Sequence, residues 1–142
     1  MRSHAMLPLA ALMVGGFASA SASEFPVQKP GQWETTETGD NARHLSTCVG
    51  DAAAQAKTFA QIEAMQNKNC SKHEMRKVGD KWIGDSVCNY YPVGTHIINH
   101  MVSTVSENAT HTDLSTTYEP SGKKGHETLD SKWVGPCKPG EK

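Results

Sequence analysis

The chain of 142 residues has no excess of charge of either sign: 14 Lys and Arg stand against 15 Asp and Glu, a formal net charge of -1. No basic stripe or Lys/Arg cluster is present, which argues against nucleic acid or an anionic membrane surface as a partner. Large apolar residues are scarce as well. Beyond residue 22 there are three Leu, four Ile, eight Val and two Phe in 120 residues, about 14%, below the roughly 20% at which composition begins to resemble disorder. Three Trp, three Tyr and four Cys set within patterned segments oppose that reading, and the expectation is a folded domain with a thin core. Familiar catalytic signatures are missing too, since there is no G-x-S-x-G elbow, phosphate-binding loop or H-E-x-x-H. The serine of "GDS", Ser86, sits within an alternating strand pattern and not on the sharp turn that a nucleophile needs.

The one long apolar run is at the N-terminus. "MRSHAMLPLAALMVGGFASASAS" has Arg2, an apolar stretch from Ala5 to about Ala18, and then small residues that suit cleavage after Ala22. The stretch is too short for a helix across a bilayer of roughly 30 Å, which takes about 20 residues. The expected organisation is a signal peptide over 1–22 and a single β-rich domain over 23–142, with net charge -2 and no integral membrane segment after cleavage. Export to the periplasm or medium follows. A thin core in an oxidising compartment is the setting in which disulfides act as staples.

"KPGQWETTE" reads as a turn and a short strand opened by Trp33, of a composition suited to a half-exposed edge, and "RHLSTCV" as a second strand. "DAAAQAKTFAQIEAMQNKN" is the one helical segment. Asp51 caps its start, and Ala53, Ala56, Phe59, Ile62 and Met65 recur at helical spacing as a packing face. From His73 onward strand follows strand. "HEMRKV" and "KWIGDSVCNYY" flank the tight-turn pair Gly79-Asp80, and "THIINHMVSTVS", "THTDLSTTYE" and "HETLDSKWV" continue the meander. The predicted fold class is α+β, mainly β: a curved antiparallel meander sheet, open or partly closed into a barrel, with one helix and two disulfides.

Four cysteines, Cys48, Cys70, Cys88 and Cys137, allow three pairings. Their gaps of 22, 18 and 49 residues lack the close ligand pairs of structural zinc sites. Cys70 follows the helix and Cys88 lies in the tight hairpin, so order along the chain favours Cys70 with Cys88 and Cys48 with Cys137. The alternative of Cys48 with Cys88 and Cys70 with Cys137 stays open. Cys48 to Cys70 would have to span some 30 Å of helix and flanks.

"KPGQWE" after a signal peptide, "TC" before a short helix, "NCS" after it, "KWIGDSVC" in a hairpin and "WVGPC" near the terminus together resemble the bacterial family DUF3617 over essentially the whole mature chain. The resemblance implies an exported bacterial protein and supplies no reaction, substrate or cofactor.

No metal, cofactor or catalytic residue is expected. His96 and His100 on a strand lie roughly 13 Å apart at about 3.4 Å per residue, too far to share an ion. Apolar content on both faces of that strand, with Trp82, Tyr90 and Trp133 nearby, makes Trp82, Tyr90, His96, His100 and Trp133 the candidate ligand pocket. The expected function is a non-enzymatic module binding an envelope protein or a small apolar ligand. Two alternatives stand beside it: an enzyme inhibitor presenting Lys123 and Lys124 on an exposed loop, and an unfamiliar enzyme using His100, His111 and Asp113.

Overall fold

Turn chemistry and side-chain alternation set most of the element boundaries. The computed structural model describes residues 24–40, 42–89 and 94–140, so the expected signal peptide lies outside the described residues. Strands β1 (Gly31–Gly39) and β2 (Arg43–Val49) form the first hairpin. Helix α1 (Ala52–Asn69) follows, then β3 (Cys70–Val78), β4 (Lys81–Cys88), β5 (His96–Val105), β6 (Ala109–Glu119) and β7 (Lys123–Gly135). Gly79-Asp80 makes the tight turn between β3 and β4, with Gly79 at φ 63°, where a side chain would be strained.

All pairings are antiparallel, and the seven strands form one open sheet in the order β2-β1-β7-β6-β5-β4-β3. The fold is therefore α+β, mainly β. Edge strands β2 and β3 do not pair with each other, so the sheet does not close into a barrel. Instead α1 connects them. Its 18 residues reach about 27 Å at 1.5 Å per residue, which matches a seven-stranded sheet of roughly 29 Å at about 4.8 Å per strand gap. Helix residues Phe59, Ile62 and Gln66 face Met75, Met101 and Leu114 across a cavity, which puts α1 over one face, the inner one.

The core of the sheet is thin, as the composition implies. Trp33, Trp82 and Cys88 are the buried apolar residues among those described. Strand β1 was expected at an edge, but it lies between β2 and β7, and Trp33 and Glu37 are 2% and 6% exposed. The cause is non-local: β7, about a hundred residues later, pairs with its open side. Arg43 Nε donates to Glu37 at 2.6 Å and supplies the counter-charge that a buried carboxylate requires. Trp33 Nε1 donates to the Lys29 carbonyl (2.8 Å), and Trp133 Nε1 to the Pro30 carbonyl (3.0 Å). Gly31 permits the second bond, because a Cβ there would stand 2.2 Å from Trp133 Nε1. "KPGQW" is thus a clasp in which two indoles hold the entering chain.

Cys48 is bonded to Cys137 and Cys70 to Cys88. Cys48 precedes α1 and Cys70 is its C-cap, so a disulfide ties each end of the helix to other parts of the fold. Asp51 caps the start, its carboxylate accepting from the Ala54 amide at 2.9 Å. The expected packing face is corrected, however. No residue of α1 is buried, and Ile62 and Met65 are 42% and 49% exposed. The half-covered positions near the middle of α1 are Gln55, Phe59, Glu63 and Gln66, a mostly polar stripe. A helix held over a gap by covalent ties at its ends does not need a continuous apolar face.

Candidate functional site

Two cavities lie between α1 and the sheet. The larger, 730 Å³, is bounded by the first half of the helix, the end of β2 and the segment carrying Phe25 and Pro26, with Thr47, Val49, Ala54, Gln55 and Thr58 in its walls. The smaller, 430 Å³, lies under the second half of the helix, floored by Met75, Gly84, Ser86, Asn99, Met101 and Leu114. Register explains the floor. Met75, Gly84, Met101 and Leu114 are successive cross-strand partners on β3, β4, β5 and β6. Gly84 presents no side chain, and the methionines on either side fill the space above it: its missing Cβ would meet Met101 Cε at 3.1 Å and Met75 Sδ at 3.5 Å. Polar residues beside them are satisfied within the sheet. Thr116 donates to Asn99 Oδ1 at 2.9 Å, and Asn99 Nδ2 donates to Ser86 at 3.5 Å.

Among the described residues no Lys or Arg lines either cavity. Acidic side chains on the cavity side are Asp51 at the larger and Glu63 at the smaller, where His73 is also found; Glu74 and Asp85 border the smaller one from strand positions that alternate with Met75 and Gly84, so their carboxylates are on the outer face. An anionic ligand group finds no fixed positive partner in these walls.

The opposite, outer face carries His96, His100, His111 and His126. Asp85 accepts from His100 Nδ1 (2.7 Å) and Arg76 Nη1 (2.9 Å); the bond from His100, then that from Arg76, holds its carboxyl below the usual range. His111 donates from Nδ1 to Asp130 (2.7 Å) and from Nε2 to Asp113 (3.3 Å), and His126 Nε2 stands 3.7 Å from Asp113. The bond to Asp130 is the main cause that raises the His111 pKa, with both carboxylate charges adding to it. A raised folded value means that the charged imidazolium stabilises the fold. That contribution is complete below the unfolded value of about 6.5 and is lost as pH rises through the higher folded value. In an NMR titration of the imidazole protons, Asp130→Asn is expected to bring the His111 midpoint back toward the ordinary value; an unchanged midpoint would refute this account.

The pocket expected from the sequence does not assemble. Register puts Trp82, opposite Ser103, on the inner face, and His100, opposite Asp85 and Ser115, on the outer one with His96. Trp133 lies opposite Trp33, under the clasp. Tyr90 is outside the described residues. Strand alternation is the reason, since residues an odd number of positions apart on paired strands face opposite ways. His111 and Asp113 do meet, but His100 is four residues along β5 from Thr104, the partner of His111, and engages Asp85 instead. Lys123 and Lys124 lie within β7, paired with Tyr118 and Thr117, and a tight turn over 120–122 precedes them. Phe25, Met75, Met101 and Leu114 were not foreseen as wall residues. Period-two alternation placed Met101 on one face of β5, but nothing in the sequence showed that the helix would cover that face.

No group of three or more His, Cys, Asp or Glu among the described residues is arranged to hold a metal ion, and no described helix is long and apolar enough to cross a membrane. No curated protein and no solved structure matches the chain. The family model described as "Protein of unknown function (DUF3617)" matches residues 28–137, from just before the indole clasp to the last cysteine. The chain belongs to the DUF3617 family.

Proposed function

We propose that this is an exported, non-enzymatic module that receives a small apolar, non-anionic molecule between α1 and the inner face of the sheet. One observation carries the reading: the helix covers the sheet without burying any of its own residues, and leaves apolar-walled spaces of 730 and 430 Å³ beneath it. Both volumes fall in the range of roughly 300 to 1,000 Å³ typical of small-molecule sites. Disulfides at both helix ends support the roof, so the gap is not required to collapse. Met75 and Met101 give the floor an adaptable surface, as flexible thioethers conform to different ligand shapes. Export is supported by the signal-like N-terminus and by two disulfides, which persist in oxidising compartments.

Titration with the uncharged fluorophore N-phenyl-1-naphthylamine tests this. Saturable one-to-one uptake is expected, and Met101→Glu, which puts a charge on the floor, should weaken it by about tenfold or more. Absence of saturable uptake, or an unchanged affinity in a folded Met101→Glu protein, refutes the proposal. Native mass spectrometry of protein purified from its own envelope then identifies any molecule that accompanies it.

A further inference from the structure

The two cavities share a wall. Phe25 and Phe59 stack with ring centroids 4.5 Å apart and planes 16° from parallel, and both rings, together with Pro26 and Ile62, border the larger and the smaller space. The helix residues involved run from Ala54 to Gln66, about 18 Å at 1.5 Å per residue. The spaces therefore stand in series along the helix, with the ring pair between them. That shape suits a linear chain better than a compact ring system.

The two rings are anchored unequally. Phe59 belongs to a helix tied at both ends. Phe25 belongs to an irregular segment whose hydrogen bonds lie further along: Gln28 exchanges two 2.9 Å bonds with the Gln55 side chain, and the Lys29 and Pro30 carbonyls are held by the indoles. The stack with Phe59 seats the Phe25 ring. Moving that ring aside breaks none of these bonds and removes one part of the wall that the two spaces share.

We propose that Phe25 is a length gate for a linear alkyl ligand with a non-anionic head. This rests on the binding reading above. With the ring seated, a short chain occupies one cavity. A long chain displaces the ring and runs through both. The non-anionic head follows from walls in which, among the described residues, no Lys or Arg stands.

The test is displacement of N-phenyl-1-naphthylamine by monocaprylin, monopalmitin and palmitate from the wild type, Phe25→Ala and Phe25→Trp. All three proteins are first checked for intact disulfides and unchanged circular dichroism. Phe25→Ala is expected to strengthen monopalmitin binding about tenfold, as the chain gains room for methylenes, and Phe25→Trp to weaken it by about as much. Monocaprylin should change by less than about twofold in both variants. Variants that shift both esters by the same factor, or neither, overturn the gate while leaving the binding reading intact. Palmitate binding as tightly as monopalmitin overturns the non-anionic head. If the wild type takes up neither probe nor ester, the binding reading fails and the gate fails with it.

Discussion

Replacing Trp33 with alanine is expected to lower the free energy of unfolding by about 3 to 5 kcal/mol, the range for removing a large aromatic from a well-packed site. Trp33 is 2% exposed and is one of three buried apolar residues among those described, so little else can compensate. The substitution acts twice. It opens a cavity between β2 and β7, and it removes the indole donor that holds the Lys29 carbonyl, which loosens the segment bearing Phe25. Urea unfolding with disulfides intact measures the first effect as a drop in midpoint at unchanged slope. Hydrogen exchange at Gln28, whose amide bonds to Gln55, reports the second. A loss below about 1 kcal/mol, the size of an ordinary surface change, would show that Trp33 is not a main packing anchor of this fold.

Cys137→Ser is the second large effect. The Cys48–Cys137 bond joins residues 89 apart, and in the chain-entropy model such closure restricts the unfolded state by roughly 4 to 5 kcal/mol. A measured loss of roughly 2 to 5 kcal/mol is expected, since native-state strain and residual unfolded structure reduce the ideal figure. Cys48 becomes a thiol open to labelling, and the N-terminal end of α1 loses its tie. Because no helix residue is buried, proteolysis should then cut first within 52–69. Cys70→Ser opens a bridge spanning only 18 residues, for which the same model gives about 3 kcal/mol. Its added cost is specific: Cys88, 1% exposed, keeps a buried thiol in place of its bond. A Cys137→Ser protein as stable as the wild type, with Cys48 resistant to labelling, would mean that the tail is held by contacts other than the disulfide.

The covalent and apolar features meet in the helix. A helix without buried side chains is normally not retained, because most helical stability in proteins comes from packing an apolar face. Here the ties at Cys48 and Cys70 fix both ends, and the Phe25–Phe59 stack and the Gln28–Gln55 exchange hold the first half. Such a roof remains in place while staying loosely packed, as the proposed binding of apolar molecules beneath it requires.

Local chemistry alone determined the elements. Asp51 marks the helix start because its carboxylate meets a free amide three residues on, Gly79-Asp80 marks a turn because glycine tolerates positive φ, and alternation in "HIINHMVSTV" separates Ile97 and Met101 from His96 and His100. The order of the cysteines along the chain likewise favoured the bonds that formed. Decisions that couple distant residues were left to tertiary structure. Pairing of β1 with β7 turned an apparent edge into an interior strand next to the edge strand β2. The choice of which sheet face the helix covers made Met75, Met101 and Leu114 the floor of a cavity and sent His96, His100 and His111 to the open side. Strand β5 carries apolar residues on both faces, so alternation fixes which residues travel together. Only the helix, strung from edge strand to edge strand, decides which set it encloses.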